Sequence, residues 1–400
     1  MRRALPSSAA GLPATFWWLF AGVLVMALAT FVFPFLALFL RSRGLSATET
    51  GLVVALFGAG TIPAGPLAGW LADRAGRRPT LIGALVAAAL LTAILPAVSS
   101  RGGLAAATLG LGLAVNAYFP AANAVVADVV RPERYRDAYG LMYWERNAGI
   151  AVSFALGGAL ASGGYARLFL ADAVTTLLFA AVVWRAIPET RPARAVLAGA
   201  PAPRKSPLAD RDLAVLLALN VAFLIPLYQF MVALPLTMAR QGLSPAAYGL
   251  VMAVNGVLIV LLQPLSAPVA RRLDGGRAIA IASLLVAVGY GGYAACATTA
   301  GYAACTAVWT LGEILAMPAV SSLVADLSPP ELRGRYQGML ALSFGVGIAL
   351  APALGGAVLE RAGPVALFTG AALLSAAVGA GHLLAGRARR GRPRPAAHAG

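Results

Sequence analysis

The sequence has few charged residues for its length. Only 12% of its 400 residues are charged, about half the share of a soluble domain, whereas 60% are hydrophobic and the mean hydropathy is +0.80. A chain this apolar is expected to lie in lipid, where the backbone must satisfy its own hydrogen bonds as helices or as a closed barrel. The apolar runs are about 20 residues long, the length of a transmembrane helix. The composition therefore predicts an all-α membrane protein.

The scarcity of reactive side chains excludes several classes of function. Cys296 and Cys305 are the only cysteines, so neither a disulfide framework nor a cysteine metal site is expected. The two histidines, His382 and His398, lie at or beyond the last apolar run. The sequence has no G-x-x-x-x-G-K-[ST] phosphate-binding loop, which excludes an ATP-driven pump within this chain. We therefore predict a protein that is not an enzyme and has no catalytic residues, cofactor or metal.

Twelve apolar runs predict twelve transmembrane helices. They cover about 16–40, 48–72, 79–98, 103–127, 138–160, 165–184, 213–239, 246–270, 278–298, 302–325, 337–359 and 364–385. The predicted domains are an N-terminus (1–15), a six-helix bundle (16–184), a linker rich in Pro and Arg (185–212), a second six-helix bundle (213–385) and a disordered basic tail (386–400).

The second half of the sequence repeats the first at a constant offset of 198 residues. Gly44–Ser46 reappears as Gly242–Ser244, and Gly149–Ala151 reappears as Gly347–Ala349, with no gap between the two matches. A period this long exceeds that of a solenoid unit and indicates two fused copies of one bundle. In an apolar chain, such a repeat is typical of secondary transporters.

The basic residues predict the orientation of the helices. Of the 31 Lys and Arg residues, 24 fall in segments on the side of the N-terminus, six fall on the other side, and Arg146 alone lies within a span. This asymmetry places both termini in the cytoplasm, for a multi-pass protein of the plasma (inner) membrane. The net charge of +16 then reflects the basic residues that orient the helices in the membrane, so no nucleic-acid partner is expected. The expected partners are the lipid bilayer, a small-molecule substrate and protons, and the chain is expected to be a monomer.

The loop between the second and third helices carries the most specific motif. Residues 69–78 read G-x-L-A-D-R-x-G-R-R, in which Gly76 permits a tight turn and the arginines hold the loop on the cytoplasmic side. This spacing closely resembles the loop 2–3 signature of the major facilitator superfamily, and with the repeat the resemblance covers almost the whole chain. In that family two six-helix halves rock about a central site, and this loop forms a charged latch.

The resemblance implies a set of gating residues, which are Gly69, Asp73, Arg74, Gly76, Arg77 and Arg78. In the second copy Arg271 and Arg272 replace the Asp-Arg pair, although Asp274 is close, so the latch is expected to be asymmetric.

Two further features repeat in both halves. Pro120 and Pro318 each precede an aspartate, Asp128 or Asp326, at the cytoplasmic end of an even-numbered helix. We favour helix termination and ion pairing over substrate contact for these aspartates. Helix 11, at residues 347–356, resembles the G-x-x-x-G-P-x-x-G-G motif of drug:H⁺ antiporters. In that family the motif lies on helix 5, where this chain has Phe154 in place of the proline.

Three ionisable residues within the spans are candidates for proton coupling or substrate binding: Glu313, Glu145 and Arg146. A charge in lipid is costly, and the repeat partners of these residues are the uncharged Val115, Ser343 and Phe344. Desolvation favours the neutral form of a carboxylic acid, which suits proton transfer. The alternative is a structural salt bridge between Arg146 and one of the glutamates. Asp172 is set aside as an interface charge.

The polar residues that we expect to line a central cavity are Asn116 and Tyr118 on helix 4, and Tyr228 and Gln229 on helix 7. Helix 1 has no charge between Phe16 and Leu40 but several aromatic residues, which favours hydrophobic or amphipathic substrates. The sequence thus predicts a proton-coupled secondary transporter that exports such molecules by alternating access and resembles bacterial multidrug-efflux permeases. A proton- or ion-coupled importer of a small nutrient and a non-transporting membrane sensor remain as alternatives.

Overall fold

The computed structural model describes residues 11–190, 210–270, 273–329 and 332–390. Throughout these ranges the chain is helical and contains no β-strand. The α-helices are α1 Ala14–Leu28, α2 Val32–Ser42, α3 Ala47–Arg74, α4 Arg77–Ile94, α5 Arg101–Val129, α6 Tyr135–Ala161, α7 Tyr165–Ala186, α8 Arg211–Leu227, α9 Ala233–Arg240, α10 Pro245–Ala270, α11 Gly275–Tyr293, α12 Thr299–Leu327, α13 Arg333–Arg361 and α14 Gly363–Arg390. Most of the predicted linker, Arg271 with Arg272, and the tail beyond Arg390 lie outside the described residues.

These helices form twelve transmembrane segments, so the predicted fold class is confirmed. The first segment consists of α1 and α2, and the seventh of α8 and α9. In the described part of the chain, eleven segments are long and apolar enough to cross a membrane by composition alone. The remaining segment is α6, which carries Glu145 and Arg146 within its span.

Repeated polar residues cap equivalent helices in the two halves. The Ser100 side chain accepts a hydrogen bond from Gly103 N at the start of α5, and Thr298, 198 residues later, accepts one from Gly301 N at the start of α12. These bonds satisfy amides that have no partner within the helix. The same capping therefore begins the fourth helix of each half.

The first and seventh transmembrane helices are each interrupted, whereas the sequence predicts continuous spans. The first is broken between Leu28 and Val32, and the seventh passes through a 3₁₀ turn at Tyr228–Met231. The breaks lie at equivalent positions of the 198-residue repeat. A proline in the first turn of each following segment, Pro34 in α2 and Pro235 in α9, removes a backbone donor that a continuous helix would use.

The two halves pack together at one end of the bundle. Gly58 on α3 lies against the backbone of Ala349 on α13, and Gly249 on α10 lies against the backbone of Phe154 on α6. No side chain would fit at either glycine, so small residues set this close approach. We call this end, where α3 and α10 begin, the distal end.

The halves are separated at the opposite end, which carries the loop at Asp73–Arg78 and which we call the basic end. Gly65 and Gly69 on α3, and Gly140 on α6, have no described atom within 4 Å of the position that a Cβ would take. No other helix therefore approaches Gly69 closely among the described residues in this conformation. The bundle is closed at the distal end and open at the basic end.

Candidate functional site

The loop at Asp73–Arg78 is held by Arg77. Its Nη1 donates to Asp73 Oδ1 at 2.6 Å and to Ala72 O at 2.9 Å, and its Nε lies 3.5 Å from Asp128 Oδ2 at the end of α5. Gly76 has a φ of +111°, a conformation that glycine adopts without strain, and it turns the chain from α3 into α4. These contacts join the ends of three helices within one half.

The same loop also contacts the chain that follows α7. The Glu189 carboxylate accepts hydrogen bonds from the backbone amides of Arg77 at 2.8 Å and Arg78 at 3.2 Å, at the N-terminus of α4. The Arg74 guanidinium lies 4.8 Å from the centre of the Trp70 ring. These contacts of the loop lie within the first half.

The two helix-end aspartates have different surroundings. Asp128 pairs with Arg77 and accepts a hydrogen bond from Thr190 Oγ1 at 2.9 Å. Asp326 is exposed, and among the described residues it has no hydrogen bond or ion pair. The repeat partner of Arg77 is Gly275, so the second half lacks the arginine that engages Asp128 in the first.

Glu313 lies at mid-helix in α12 and is partly buried. Its Oε2 accepts a hydrogen bond from Asn255 Nδ2 at 2.8 Å, and the same amide donates to Thr310 Oγ1 at 3.0 Å. Glu313 also interacts electrostatically with Tyr143 of the first half and Tyr228 of the second. The described residues thus give the carboxylate one hydrogen-bond donor, Asn255, and place it within electrostatic range of Tyr143 in the other half.

Glu145 and Arg146 are neighbours in sequence but have different surroundings. Glu145 is fully buried, and neither of its oxygens has a hydrogen-bond partner among the described residues. It precedes Gly149 by one helical turn, and Gly149 packs on Ala27, so Glu145 faces α1. The Arg146 guanidinium lies 4.7 Å from the Phe119 ring centre. In the described part of the chain no carboxylate lies within 4.0 Å of Arg146, so the salt bridge considered above is not formed.

Two cavities in the first half meet at Arg146. The inner cavity, of about 110 Å³, lies among α1–α7 and reaches Asp172. The outer cavity, of about 190 Å³, is bounded by α1, α5 and α6 and reaches Tyr143. Both are lined by Tyr118, Phe119 and Arg146, whose rings and guanidinium form their common wall.

The four expected cavity residues do not share one surface. Tyr118 lines both cavities, and Tyr228 lies in electrostatic range of Glu313. Asn116 instead donates to Gly112 O of its own helix at 2.9 Å. Gln229 is buried and donates to the backbone oxygen of Ala351 on α13 at 3.1 Å, which makes it a packing residue.

Aromatic side chains close the central space toward the distal end. The ring of Phe33 on α2 packs edge-on to Phe230 of the other half at 6.5 Å, and Phe230 stacks on Trp309 at 6.3 Å. Of the other helix 1 aromatics, Phe35 packs on Tyr248 across the interface. The central space is therefore bounded by aromatic rings on its distal side.

The sequence model of the Major Facilitator Superfamily matches this chain over residues 18–315 and again over 216–400. The chain belongs to the major facilitator superfamily. Its family and fold are those of transporters rather than enzymes, and it is a multi-pass membrane protein. The resemblance seen in the loop 2–3 motif is thereby confirmed.

Relatives of this facilitator match it over most of their length. It is 27% identical over 353 residues to the uncharacterized MFS-type transporter YttB of Bacillus subtilis (strain 168), covering 85% of this chain and 86% of the relative. It is 26% identical over 341 residues to the multidrug resistance protein MdtH of Aeromonas salmonicida (strain A449), covering 83% and 84%. The crystal structure of the POT family transporter PepTSo has a TM-score of 0.78 at 14% identity, covering 95% and 99%, which shows a shared fold.

Two functional candidates in this facilitator were missed at the sequence level. Asp172, set aside above, accepts hydrogen bonds from Phe31 N at 2.8 Å and Val32 N at 2.9 Å, so it caps α2 at the break of helix 1. Asn255 holds Glu313. Both residues break the internal symmetry, because their repeat partners are Gly370 and Phe57. The comparison of repeat partners that selected Glu313 would also have selected these two residues.

Proposed function

We propose that this transporter exports small hydrophobic or amphipathic molecules by proton-coupled alternating access, with Glu313 as the proton-binding residue. The observation that carries the proposal is the position of Glu313: it lies at the middle of α12, is within electrostatic range of Tyr143 in the other half, and has one amide donor, Asn255. An ionised carboxylate at this depth is costly unless it is neutralised or paired, so proton binding there is coupled to its surroundings. The multidrug resistance names of its relatives support export.

The described conformation supports a substrate-loading state. The basic end is open and the distal end is closed by glycine contacts and aromatic rings. The arginine distribution supports a cytoplasmic basic end, with both termini on that side of a plasma membrane. A cytoplasmic molecule would then enter from the open end, and rocking of the halves would expose it at the distal side.

Glu313 is favoured over Glu145 for proton transfer because of what each side chain faces. Glu145 is buried toward α1 and lines neither cavity at Arg146. Glu313 is partly buried and within electrostatic range of Tyr143 in the other half. A proton carrier must be reachable from each side in turn, which the position of Glu313 allows.

The test is proton flux in everted vesicles with a panel of cationic, neutral and anionic amphiphiles. We expect a transported amphiphile to dissipate an imposed pH gradient in the parent, and Glu313→Gln to abolish that flux. Glu133→Gln is the matched control, since it neutralises an exposed glutamate in the turn at Pro132–Arg134. Loss of flux in Glu145→Gln, with flux retained in Glu313→Gln, would identify Glu145 instead of Glu313 as the proton-binding residue.

Import of a small nutrient on the same fold is the competing function. It predicts accumulation of a nutrient in right-side-out vesicles and no proton flux with any amphiphile. That combination of results would contradict the export proposal and leave the glutamates with structural roles.

A further inference from the structure

Arg146 lies well inside the predicted transmembrane span 138–160, at the point where two cavities meet. Its side chain is partly buried and lines both the inner and the outer cavity. The guanidinium makes no hydrogen bond and no ion pair with the described residues; it lies 4.7 Å from the Phe119 ring centre and interacts electrostatically with Glu145 and Tyr143. Five N–H donors at this depth are costly to leave unsatisfied, so the position favours an anionic partner.

The carboxylates that could neutralise Arg146 from within the protein are directed elsewhere. Glu145 faces α1 and lines neither cavity. Asp172, at the other end of the inner cavity, is bonded to the amides of Phe31 and Val32 at the N-terminus of α2. The positive end of that helix offsets the Asp172 charge. Among the described residues, no carboxylate forms an ion pair with Arg146 within 4.0 Å, although Glu145 interacts with it electrostatically.

The surface beside Arg146 suits an aromatic group. Phe119 lies under the guanidinium, and the Tyr118 ring stacks on Phe119 with 4.2 Å between centroids. A guanidinium over a ring keeps its edge free, so its N–H groups can bind a carboxylate in a bidentate manner. The inner cavity of about 110 Å³ and the outer cavity of about 190 Å³ lie on either side of these residues.

We propose that Arg146 binds the anionic group of the substrate, and that the substrates are amphipathic organic carboxylates whose apolar part lies on Tyr118 and Phe119. This inference rests on the proposed function only in taking the transported molecules to be amphipathic. Tyr143 lines the outer cavity and interacts electrostatically with both Arg146 and Glu313, so the anion site and the proposed proton site lie within electrostatic range of one side chain. Export of a bound carboxylate would then be linked to the protonation state opposite it.

The test uses three probes with one apolar skeleton: 1-naphthoate, 1-naphthylmethylammonium and 1-naphthalenemethanol. Binding to the purified full-length protein is measured at fixed pH with no proton gradient. We expect the parent to bind naphthoate about tenfold more tightly than the ammonium probe, as a charge-assisted bidentate pair predicts. Preference for the ammonium probe, or binding of none of the three, would overturn the inference without any variant.

Substitutions at Arg146 test whether this residue binds the carboxylate. Arg146→Gln should weaken naphthoate binding about tenfold or more and leave the alcohol within about twofold, and Arg146→Lys should lose less because it keeps the charge. Arg167→Gln, which removes an exposed arginine at the distal end, is the matched control. Equal naphthoate affinity in Arg146→Gln and Arg167→Gln would sink the assignment.

Failure of this inference and failure of the proposed function are distinguishable. Naphthoate binding that depends on Arg146, without proton flux in vesicles, supports the anion site and contradicts proton-coupled export. Proton flux driven by cationic amphiphiles, with no naphthoate binding, supports the export proposal and overturns the anion site.

Discussion

Glu360 of the second half caps a helix of the first half at Thr48. Its Oε2 accepts a hydrogen bond from Thr48 N at 2.6 Å and another from Ser46 Oγ at 2.8 Å, at the N-terminus of α3. A carboxylate at a helix N-terminus binds unpaired amides and the positive end of the helix dipole. The bond joins the halves at their closed end. The repeat partner of Glu360 is Ser162, which bonds within its own half to Ala159 O.

We expect Glu360→Gln to shift the population toward a conformation open at the distal end, because the neutral amide binds the α3 amides less strongly. The measurement is a spin-label distance between Gly102→Cys and Ala300→Cys, at the distal starts of α5 and α12, with Cys296 and Cys305 replaced by serine. Ser162→Ala is the control at the equivalent position and should leave the distribution unchanged. Identical distributions in parent and Glu360→Gln would show that the bond does not hold this end closed.

Gly58 and Gly65 lie on the same helix, but a leucine at each position should affect opposite ends of the bundle. A leucine at Gly58 would meet the backbone of Ile348 and Ala349, so we expect Gly58→Leu to force the distal end open. Gly65 faces open space among the described residues, so Gly65→Leu should leave this conformation intact and obstruct closure of the basic end. The same label pair measures both effects. Parent-like distances in Gly58→Leu would contradict the assigned packing.

Asp172 should contribute strongly to the stability of the first half. Asp172→Ala leaves two buried amides, those of Phe31 and Val32, without their acceptor, and we expect the free energy of unfolding to fall by about 2 kcal/mol or more. Asp137→Ala is the control, since it removes a partly exposed ion pair with Arg134 that is worth about 1 kcal/mol or less. Unfolding is followed in mixed micelles of increasing denaturing-detergent content. Equal losses of unfolding free energy in Asp172→Ala and Asp137→Ala would contradict the role of Asp172 as the cap of α2.

Arg77 should matter for both the loop and the transport cycle. Arg77→Ala removes the bonds to Asp73 and Ala72 O and the contact with Asp128, and we expect it to destabilise the chain by about 1–2 kcal/mol. Arg77→Lys keeps the charge but not the planar geometry, so it should lose only part of this stability. If the loop is a gate, transport in vesicles falls further than the amount of folded protein. A proportional fall would assign Arg77 a structural role alone.

Hydropathy and the internal repeat were sufficient to predict the membrane helices and their pseudo-symmetry. In lipid the backbone has no water partner, so an apolar run of this length has few alternatives to a helix. The comparison of the two copies also selected Glu313 and Arg146, because a charge that is absent from the duplicate is not required by the scaffold. In the structure Asn255 donates a hydrogen bond to Glu313, and Arg146 lines both cavities of the first half.

The interruptions of helices 1 and 7 were not visible in the sequence, because the apolar runs continue through them. Side chains from distant helices stabilise these breaks. Asp172 binds the amides of the first, and in the second the Tyr290 hydroxyl donates to Leu227 O at 2.5 Å and the Tyr248 hydroxyl to Phe230 O at 3.0 Å. The backbone break is duplicated, whereas the groups that satisfy it are not.

Glu145 and Arg146 show most directly what the sequence determined and what it left to the tertiary structure. The sequence places both charges at one depth in the membrane. Successive residues on a helix differ in direction by about 100°, so only the packing of α6 against α1 decides which side chain is enclosed and which reaches a cavity. Gly149 sets that packing through its contact with Ala27, which turns Glu145 toward α1 and leaves Arg146 at the cavity wall.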